Sequence, residues 1–552
     1  MPCVQYKQNR TKNRSLGHPT GDSHSRRALS AHKDRLMPVC QEPWHILDLV
    51  LCPSKPFHLS RDTIVLGTEM EPEVPQRQDD CQEDLPWTEV DQGFFRRAAE
   101  DQTGRMLTFD LVIVISLCVT SHSYGNLLVN SDLEQGDLSN AGSGWFGRSC
   151  TTSLSSDRYT GSSSARVSNR QAKWAGLAQY IGVEEGKRYF FSGYIRLLNT
   201  AAGKMTGEVI VTLNYHNTVT GEKKYVHMST VRFMQPNMWE RIGGDITILP
   251  GYDRHLLYIQ VSYPEVDYLL DTTSLTEIPS LAMNWKAVAN AGIDANRRAD
   301  INMVLTSGRV EGVTVEIHQL TSEFGFGTAV SAERIVDSNY NAYQNFFYDN
   351  FEWATIENKL KWSQTERNKG VSNDAGVIAV NELVKRGIKV RGHTVFWGVP
   401  GKDPVWVQSL QGDALVQAML TRGKNVTWKT LGKLEHWDVN NENVHGNFYE
   451  EATGRVNITM DIFSEIRSMD PKPKLFLNDF AIVNSGRFTQ AYRNQAKMFR
   501  TETPIYGVGI QSHLTPPLDL TLIKHRLDQM VEVGLPVWIT ELVKSSRQTK
   551  LD

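Results

Sequence analysis

The stretch Leu434-Glu-His-Trp-Asp-Val439, followed at once by Asn440-Asn-Glu442, sets the architecture of the larger part of this 552-residue chain. A short run of strand character ends on two carboxamides and a carboxylate. Parallel strands covered by helices on their outer side read as short apolar runs, and in a closed barrel of such strands the polar residues that do chemistry collect at the C-terminal strand ends. Outward from this stretch the same unit repeats. Strand candidates occupy 324–330, 351–356, 389–396, 474–478, 506–511 and 536–540, and helical stretches such as 374–386 and 522–533 lie between them. Seven strands alternating with helices predict a (β/α)8 TIM barrel over 285–552 that is incomplete, lacking strand eight.

Upstream the periodicity changes. From 126 to about 270 the chain alternates as half-buried strands do, in Val209-Ile-Val-Thr-Leu-Asn-Tyr215 and His255-Leu-Leu-Tyr-Ile-Gln-Val261. Turn clusters at 139–144, 201–203 and 220–221 separate these runs, and a β-sandwich of the jelly-roll kind is expected. Residues 1–105 read as a disordered leader or an upstream extension, because they carry many charges and little apolar period. The apolar run 111–119 is too short to span a bilayer and suits the core of a signal peptide over 106–125, with Met106 as the natural start. Sequons at Asn425-Val-Thr427 and Asn457-Ile-Thr459 agree with a secreted, extracellular or cell-wall location. All six cysteines lie within the first 150 residues, so a large apolar core, not a disulfide framework, must hold the C-terminal part. A formal net charge of −3 points to neither nucleic acid nor a membrane surface as partner.

Six strand ends carry polar or aromatic groups: Glu357-Asn358, His393 with Trp397, Asn441-Glu442, Asn478-Asp479, Gln511 with His513, and Glu541. Glu442 and Glu541 follow strands four and seven, which places them across a barrel mouth from one another. Breaking a glycosidic bond needs one carboxylic acid for the leaving oxygen and one carboxylate for the anomeric carbon.

The strings 358–366 (Asn-Lys-Leu-Lys-Trp-Ser-Gln-Thr-Glu), 390–397 (Val-Arg-Gly-His-Thr-Val-Phe-Trp), 437–446 (Trp-Asp-Val-Asn-Asn-Glu-Asn-Val-His-Gly), 475–480 (Leu-Phe-Leu-Asn-Asp-Phe), 507–514 (Gly-Val-Gly-Ile-Gln-Ser-His-Leu) and 538–542 (Trp-Ile-Thr-Glu-Leu) resemble glycoside hydrolase family 10, in order and at its spacing. Asn440-Asn441-Glu442 and Phe324-Gly-Phe-Gly327 look like its plant-type members. The resemblance implies an endo-1,4-β-xylanase that cleaves xylan and xylo-oligosaccharides with retention and without a metal or cofactor. It makes Glu442 the general acid/base, Glu541 the nucleophile, and Asn441 the partner of the sugar 2-hydroxyl. Glu357, Asn358, Lys361, His393 and Trp397 would hold the non-reducing side of the chain, with Gln511 and His513 around the nucleophile.

The sandwich is similar to a family 22 carbohydrate-binding module, through Asn126-Leu-Leu-Val-Asn-Ser-Asp-Leu-Glu134, Gly144-Trp145 with Cys150, and Ser168-Asn-Arg-Gln-Ala-Lys-Trp-Ala-Gly176. That resemblance implies xylan binding by Arg170, Trp174 and Tyr258, with Gln260 where the family usually has Glu. The chain also departs from the barrel pattern: Val543 stands where the family has Asp, and the later tryptophans and eighth strand are missing. The alternative expectation is a non-catalytic xylan-binding protein. A monomer with no stable membrane span is expected.

Overall fold

The computed structural model describes residues 125–136, 138, 141–298 and 324–544. The readings made for 1–105 and for the signal-like segment lie outside these residues, Gly125 excepted. Ten strands build the first region: β1 Phe146–Arg148, β2 Thr151–Ser155, β3 Ser164–Ser168, β4 Gly176–Tyr180, β5 Arg188–Leu197, β6 Gly207–His216, β7 Lys223–Met234, β8 Trp239–Thr247, β9 Arg254–Val261 and β10 Tyr268–Glu277. They form two five-stranded antiparallel sheets, in the orders β1-β4-β9-β6-β7 and β2-β3-β10-β5-β8. The two-residue period of a strand explains why. In β9, Leu257, Ile259 and Val261 point into the core shared with Phe191, Ile195, Val211 and Leu213. Tyr258 points to the other face, where it packs with Ala178, Leu256 and Phe146.

The second region is a parallel sheet. β11 Gly327–Val330, β12 Trp353–Ile356, β13 Lys389–Gly392, β14 Phe396–Trp397, β15 His436–Asn441, β16 Lys474–Asp479, β17 Gly507–Ile510, β18 His513–Leu514, β19 Val537–Ile539 and β20 Val543–Lys544 follow in chain order. The main path is β11-β12-β13-β15-β16-β17-β19, with every pairing parallel. The expected run 389–396 is two strands, because the chain leaves the sheet at His393 and Thr394 and rejoins β15 through β14. The helices expected at 374–386 and 522–533 are Ala375–Lys385 and Leu520–Val531.

Among the described residues the sheet stays open between β11 and β19. Aromatic rings fill the space beside this gap. Trp538 lies 5.0 Å from Trp353 and 4.5 Å from His436, centroid to centroid. A Cβ on Gly325 would stand 2.6 Å from the Trp538 ring, so only glycine lets the chain enter β11 so close to β19. Burial, reinforced by the neighbouring Arg391, pushes the His436 imidazole down to about 2, so it packs as a neutral ring.

Sandwich and barrel share a buried seam. Arg526, on the helix Leu520–Val531, donates to both oxygens of Asp245 in β8 at 2.8 and 2.5 Å, and to the Val483 carbonyl at 2.7 Å. The Thr230 amide on edge strand β7 donates to the Arg487 carbonyl at 2.7 Å. The barrel thereby covers a sheet edge that would otherwise be free. Among the described residues no helix is long and apolar enough to cross a membrane.

Candidate active site

Of the strand-end residues named from the barrel sequence, all but Asp479 meet at one mouth, and hydrogen bonds connect most of them; Asp479 is buried against Val444 and His445. Glu442 is 8% exposed. Trp397 Nε1 donates to its Oε2 at 2.7 Å and Gln511 Nε2 donates to its Oε1 at 3.1 Å. Gln511 Oε1 lies 3.0 Å from His513 Nε2, which in turn lies 3.4 Å from Glu541 Oε2. On the inner side Asn478 Nδ2 donates at 2.9 Å to Glu541 Oε1 and at 3.0 Å to Asn441 Oδ1. Thr540 Oγ1 donates to Asn478 Oδ1 at 2.7 Å, which fixes the orientation of that amide. The two carboxylates are thus tied into one network, through Gln511 and His513 on one side and Asn478 on the other.

The backbone serves this placement. Glu442 sits at φ 63°, in the left-handed region that non-glycine residues avoid. Its amide donates to the Asn478 carbonyl at 2.8 Å, and its carbonyl accepts from His445 and Gly446 at 3.1 and 3.0 Å. Strain held by such an over-determined turn is common where a side chain must be aimed. Gly509 in β17 leaves room for Asn478: a Cβ there would stand 2.4 Å from Asn478 Oδ1.

Strand three supplies a second layer. His393 Nδ1 lies 3.0 Å from Asp438 Oδ2, and Arg391 Nε donates to the same oxygen at 3.1 Å. Burial opposes ionisation of Asp438, but the Arg391 charge and the bond from His393 outweigh it, and its carboxyl falls below the usual range. Asp438 therefore remains an acceptor that fixes the His393 ring. Lys361 Nζ donates to Asn358 Oδ1 at 2.8 Å and lies 5.0 Å from the Trp397 ring centre. Burial lowers its pKa, against the attraction of Glu541, Glu357 and Glu442, so all three carboxylates lie within its electrostatic reach. A cleft of about 740 Å³ takes in Glu357, Lys361, His393, His513 and Glu541 and extends to the open side of the sheet at Phe324 and Trp538. Among the described residues no group of three or more His, Cys, Asp or Glu could hold a metal ion.

The sandwich presents a different surface. Trp174 is 40% exposed. The Arg148 guanidinium lies 4.5 Å from its ring centre and 4.7 Å from that of Tyr258, so one cation joins the two aromatics. Gln260 Nε2, on the same face as Tyr258, donates to Thr212 Oγ1 at 3.1 Å. Arg170 is placed otherwise than expected. It is buried, and its guanidinium donates to five backbone carbonyls: Ala175, Tyr263, Val266, Lys173 and Val261. All five N–H donors are spent. Arg170 pins the loop that carries Trp174 and has nothing left for a sugar.

With the geometry in hand, the relationship to known proteins is specific. Residues 317–550 match the profile of glycosyl hydrolase family 10. This part of the chain is similar to that family. Residues 125–266 match a carbohydrate binding domain. Endo-1,4-beta-xylanase 1 of Arabidopsis thaliana is 28% identical over 390 residues, covering 69% of this chain and 40% of that protein. Anti-sigma-I factor RsgI6 of Acetivibrio thermocellus is 35% identical over 279 residues, covering 48% of this chain and 35% of that protein. The chain therefore spans well under half the length of either relative. A crystal structure of the CBM22-1 and GH10 modules of Clostridium thermocellum endo-1,4-beta-D-xylanase 10B, with xylohexaose, is 18% identical and covers 74% of this chain and 81% of its own, at a TM-score of 0.36.

Three contributors to these sites were not singled out from sequence. Asn478 was visible only as a polar strand end, and its bridging role depends on its neighbours across the parallel sheet. Arg422 donates to the carbonyls of Leu360, Thr394 and Val395 and to Thr365 Oγ1, so it holds the ends of strands two and three together. Its helix, Gly412–Thr430, gives no local signal of this. Arg148 comes beside Trp174 because β1 pairs with β4, with Arg148 opposite Gly176. A search along the chain near Trp174 finds Arg170 first.

Proposed function

We propose that this protein hydrolyses internal β-1,4-xylosidic bonds of xylan with retention of configuration, and that its sandwich holds the polysaccharide near the barrel. The observation that carries the reading is the network in which Asn478 Nδ2 reaches Glu541 Oε1 and Asn441 Oδ1, while Gln511 and His513 join Glu442 to Glu541 on the other side. A glycosidic bond lying across this mouth has one carboxyl on each side. Glu541 attacks the anomeric carbon as the bond to the leaving oxygen breaks, and Glu442 gives that oxygen a proton. Water then attacks the glycosyl–Glu541 ester, Glu442 takes a proton from the water, and Glu541 leaves as a carboxylate. Asn441, held by Asn478, is placed for the 2-hydroxyl of the sugar at the cleaved bond. Glu357, Asn358, Lys361, His393 and Trp397 hold the sugars on the non-reducing side.

A binding-only protein is the second reading. It is favoured by Val543, which stands where the family pattern has Asp. Product analysis separates the two. The full chain should convert β-1,4-xylan to a ladder of xylo-oligosaccharides while leaving β-1,4-glucan and β-1,4-mannan intact. Xylan that is bound but never shortened would establish the second reading. We also propose secretion, supported by the apolar run 111–119 and by the exposed sequon residues Asn425 and Asn457. Expression from Met106 should deliver the protein to the medium, and unprocessed cytosolic protein would contradict this.

A further inference from the structure

A second cavity, partly open to solvent, lies at the seam. A cavity of about 430 Å³ is walled by the sandwich on one side and by the barrel on the other, behind the loop that carries Glu442. Its barrel wall holds Asn443, Glu450, Gln490 and Gln495, and its sandwich wall holds Trp239 and Glu240. Asn443 Oδ1, Glu450 Oε2, Gln490 Oε1 and Gln495 Oε1 are all buried and find no hydrogen-bond partner among the described residues. Asn443 and Gln490 are only 5% and 1% exposed. Their orientations are set from the amide side: Asn443 Nδ2 donates to Thr459 Oγ1 at 3.4 Å and Gln490 Nε2 donates to Asn494 Oδ1 at 2.7 Å. Four buried oxygens without donors in one space are far from the usual state of a protein interior, where such groups are paired.

The chemistry of the walls defines an occupant. Every orphaned atom named is an acceptor, so the ligand must bring several hydroxyl or amine donors. Trp239 adds an aromatic wall, which suits the apolar face of a sugar ring. Arg232, Arg241 and Lys497 line the same space as the two carboxyl groups, so neither sign of charge is selected, which suits a neutral ligand. Burial pushes the Glu240 carboxyl up to about 7 and also raises that of Glu450, which weakens both as ligands for a cation.

We propose that this cavity is a second carbohydrate site, taking a short neutral xylo-oligosaccharide separately from the catalytic cleft and from the Trp174 face. The choice of sugar rests on the xylan reading above. The site touches the catalytic loop as well. Asn443 follows Glu442 directly, and Thr459 Oγ1 accepts from both Asn440 and Asn443 while donating to Glu450. Met238, 51% exposed, marks the side on which the cavity reaches solvent.

Methyl NMR can read this site without interference from the other two. Met205, Met238, Met460 and Met498 line the cavity, whereas Met228, Met419 and Met530 are buried elsewhere. The full chain, labelled with ¹³C-methyl methionine, is titrated with xylotriose. The four seam methyls should shift saturably, and should do so equally in a Trp174→Ala, Glu541→Gln background. Gln490→Leu with Gln495→Leu should weaken the midpoint at least tenfold while the core methionine signals stay in place. Trp239→Ala, on the opposite wall, is the second variant and should weaken it likewise. Seam methyls that stay still at xylotriose concentrations saturating the cleft would overturn the proposal, as would a midpoint unchanged in both variants. If the seam methyls are still while the chain cleaves xylan, this site alone fails. If the chain neither binds nor cleaves xylan, the xylan reading fails and this proposal with it.

Discussion

The sandwich and the barrel solve recognition in opposite ways. The barrel draws its polar groups from six strand ends separated by many residues and locks them with hydrogen bonds, so that Glu442, Gln511, His513, Glu541 and Asn478 form one connected set. The sandwich uses an open aromatic surface in which Trp174 and Tyr258 share one guanidinium, that of Arg148. A network depends on every member, because each removal leaves a buried group unpaired. An aromatic platform depends chiefly on contact area. Substitutions in the barrel should therefore abolish chemistry while binding survives, and substitutions on the sandwich face should do the reverse.

The largest effect is expected from Glu442→Gln. It keeps the acceptor for Trp397 but removes the transferable proton, and should lower xylan hydrolysis by about 10³-fold or more. Affinity electrophoresis in xylan gels should show unchanged retardation. Equal loss of binding and hydrolysis would erase the distinction between the two regions. Asn478→Ala comes next. It removes one donor from Glu541 and the support of Asn441 together, and should cost about 10²-fold in kcat with little change in KM, measured on xylo-oligosaccharides.

Buried carboxyls offer a test by pH. Burial pushes Asp403 up to about 7, although Tyr449 donates to it and Arg422 lies near. A carboxyl whose folded pKa is raised lends its full support below the unfolded value of about 3.8 and loses it as pH rises toward 7. Asp403→Asn keeps an oxygen for Tyr449 and cannot ionise. The melting temperature of the parent should fall relative to this variant by a few degrees between pH 4 and pH 7. A constant difference across that range would mean that Asp403 is already charged in the fold.

The two sandwich substitutions should diverge. Trp174→Ala should weaken xylan binding by about 1–3 kcal/mol with an unchanged melting temperature. Arg170→Ala leaves five carbonyls without their donor, so it should lower the melting temperature first and binding only through loss of the loop. If Arg170→Ala weakened binding at constant stability, the assignment of Arg170 to structure would fall.

How much was legible from sequence follows the same division. In the barrel the chemistry sits at strand ends, and strand ends are visible as local strings, so the ten barrel residues named from sequence share one mouth in the structure. What stayed hidden were contacts made across the sheet. Asn478 reads as one polar residue among several until β16 is placed beside β15 and β17. Arg422 has no local signal in the sequence, yet it is buried and holds four groups of other elements. In the sandwich, nearness in sequence misled: Arg170 stands four positions before Trp174 but turns inward, while Arg148, far along the chain, arrives through strand pairing. The strand breaks at His393 and Thr394 could not be read either, because the run 389–396 is uniformly compatible with one strand.

The pairing of Glu442 with Glu541 is tested most directly by the anomeric form of the first product. Proton NMR of the full chain acting on xylohexaose, recorded before mutarotation, should show the new reducing ends in the β configuration. That is the result of two successive displacements with carboxyl groups roughly 5–5.5 Å apart. New reducing ends that appear first as α would mean direct attack by water across a wider gap, and would contradict both Glu541 as nucleophile and Glu442 as its acid/base partner.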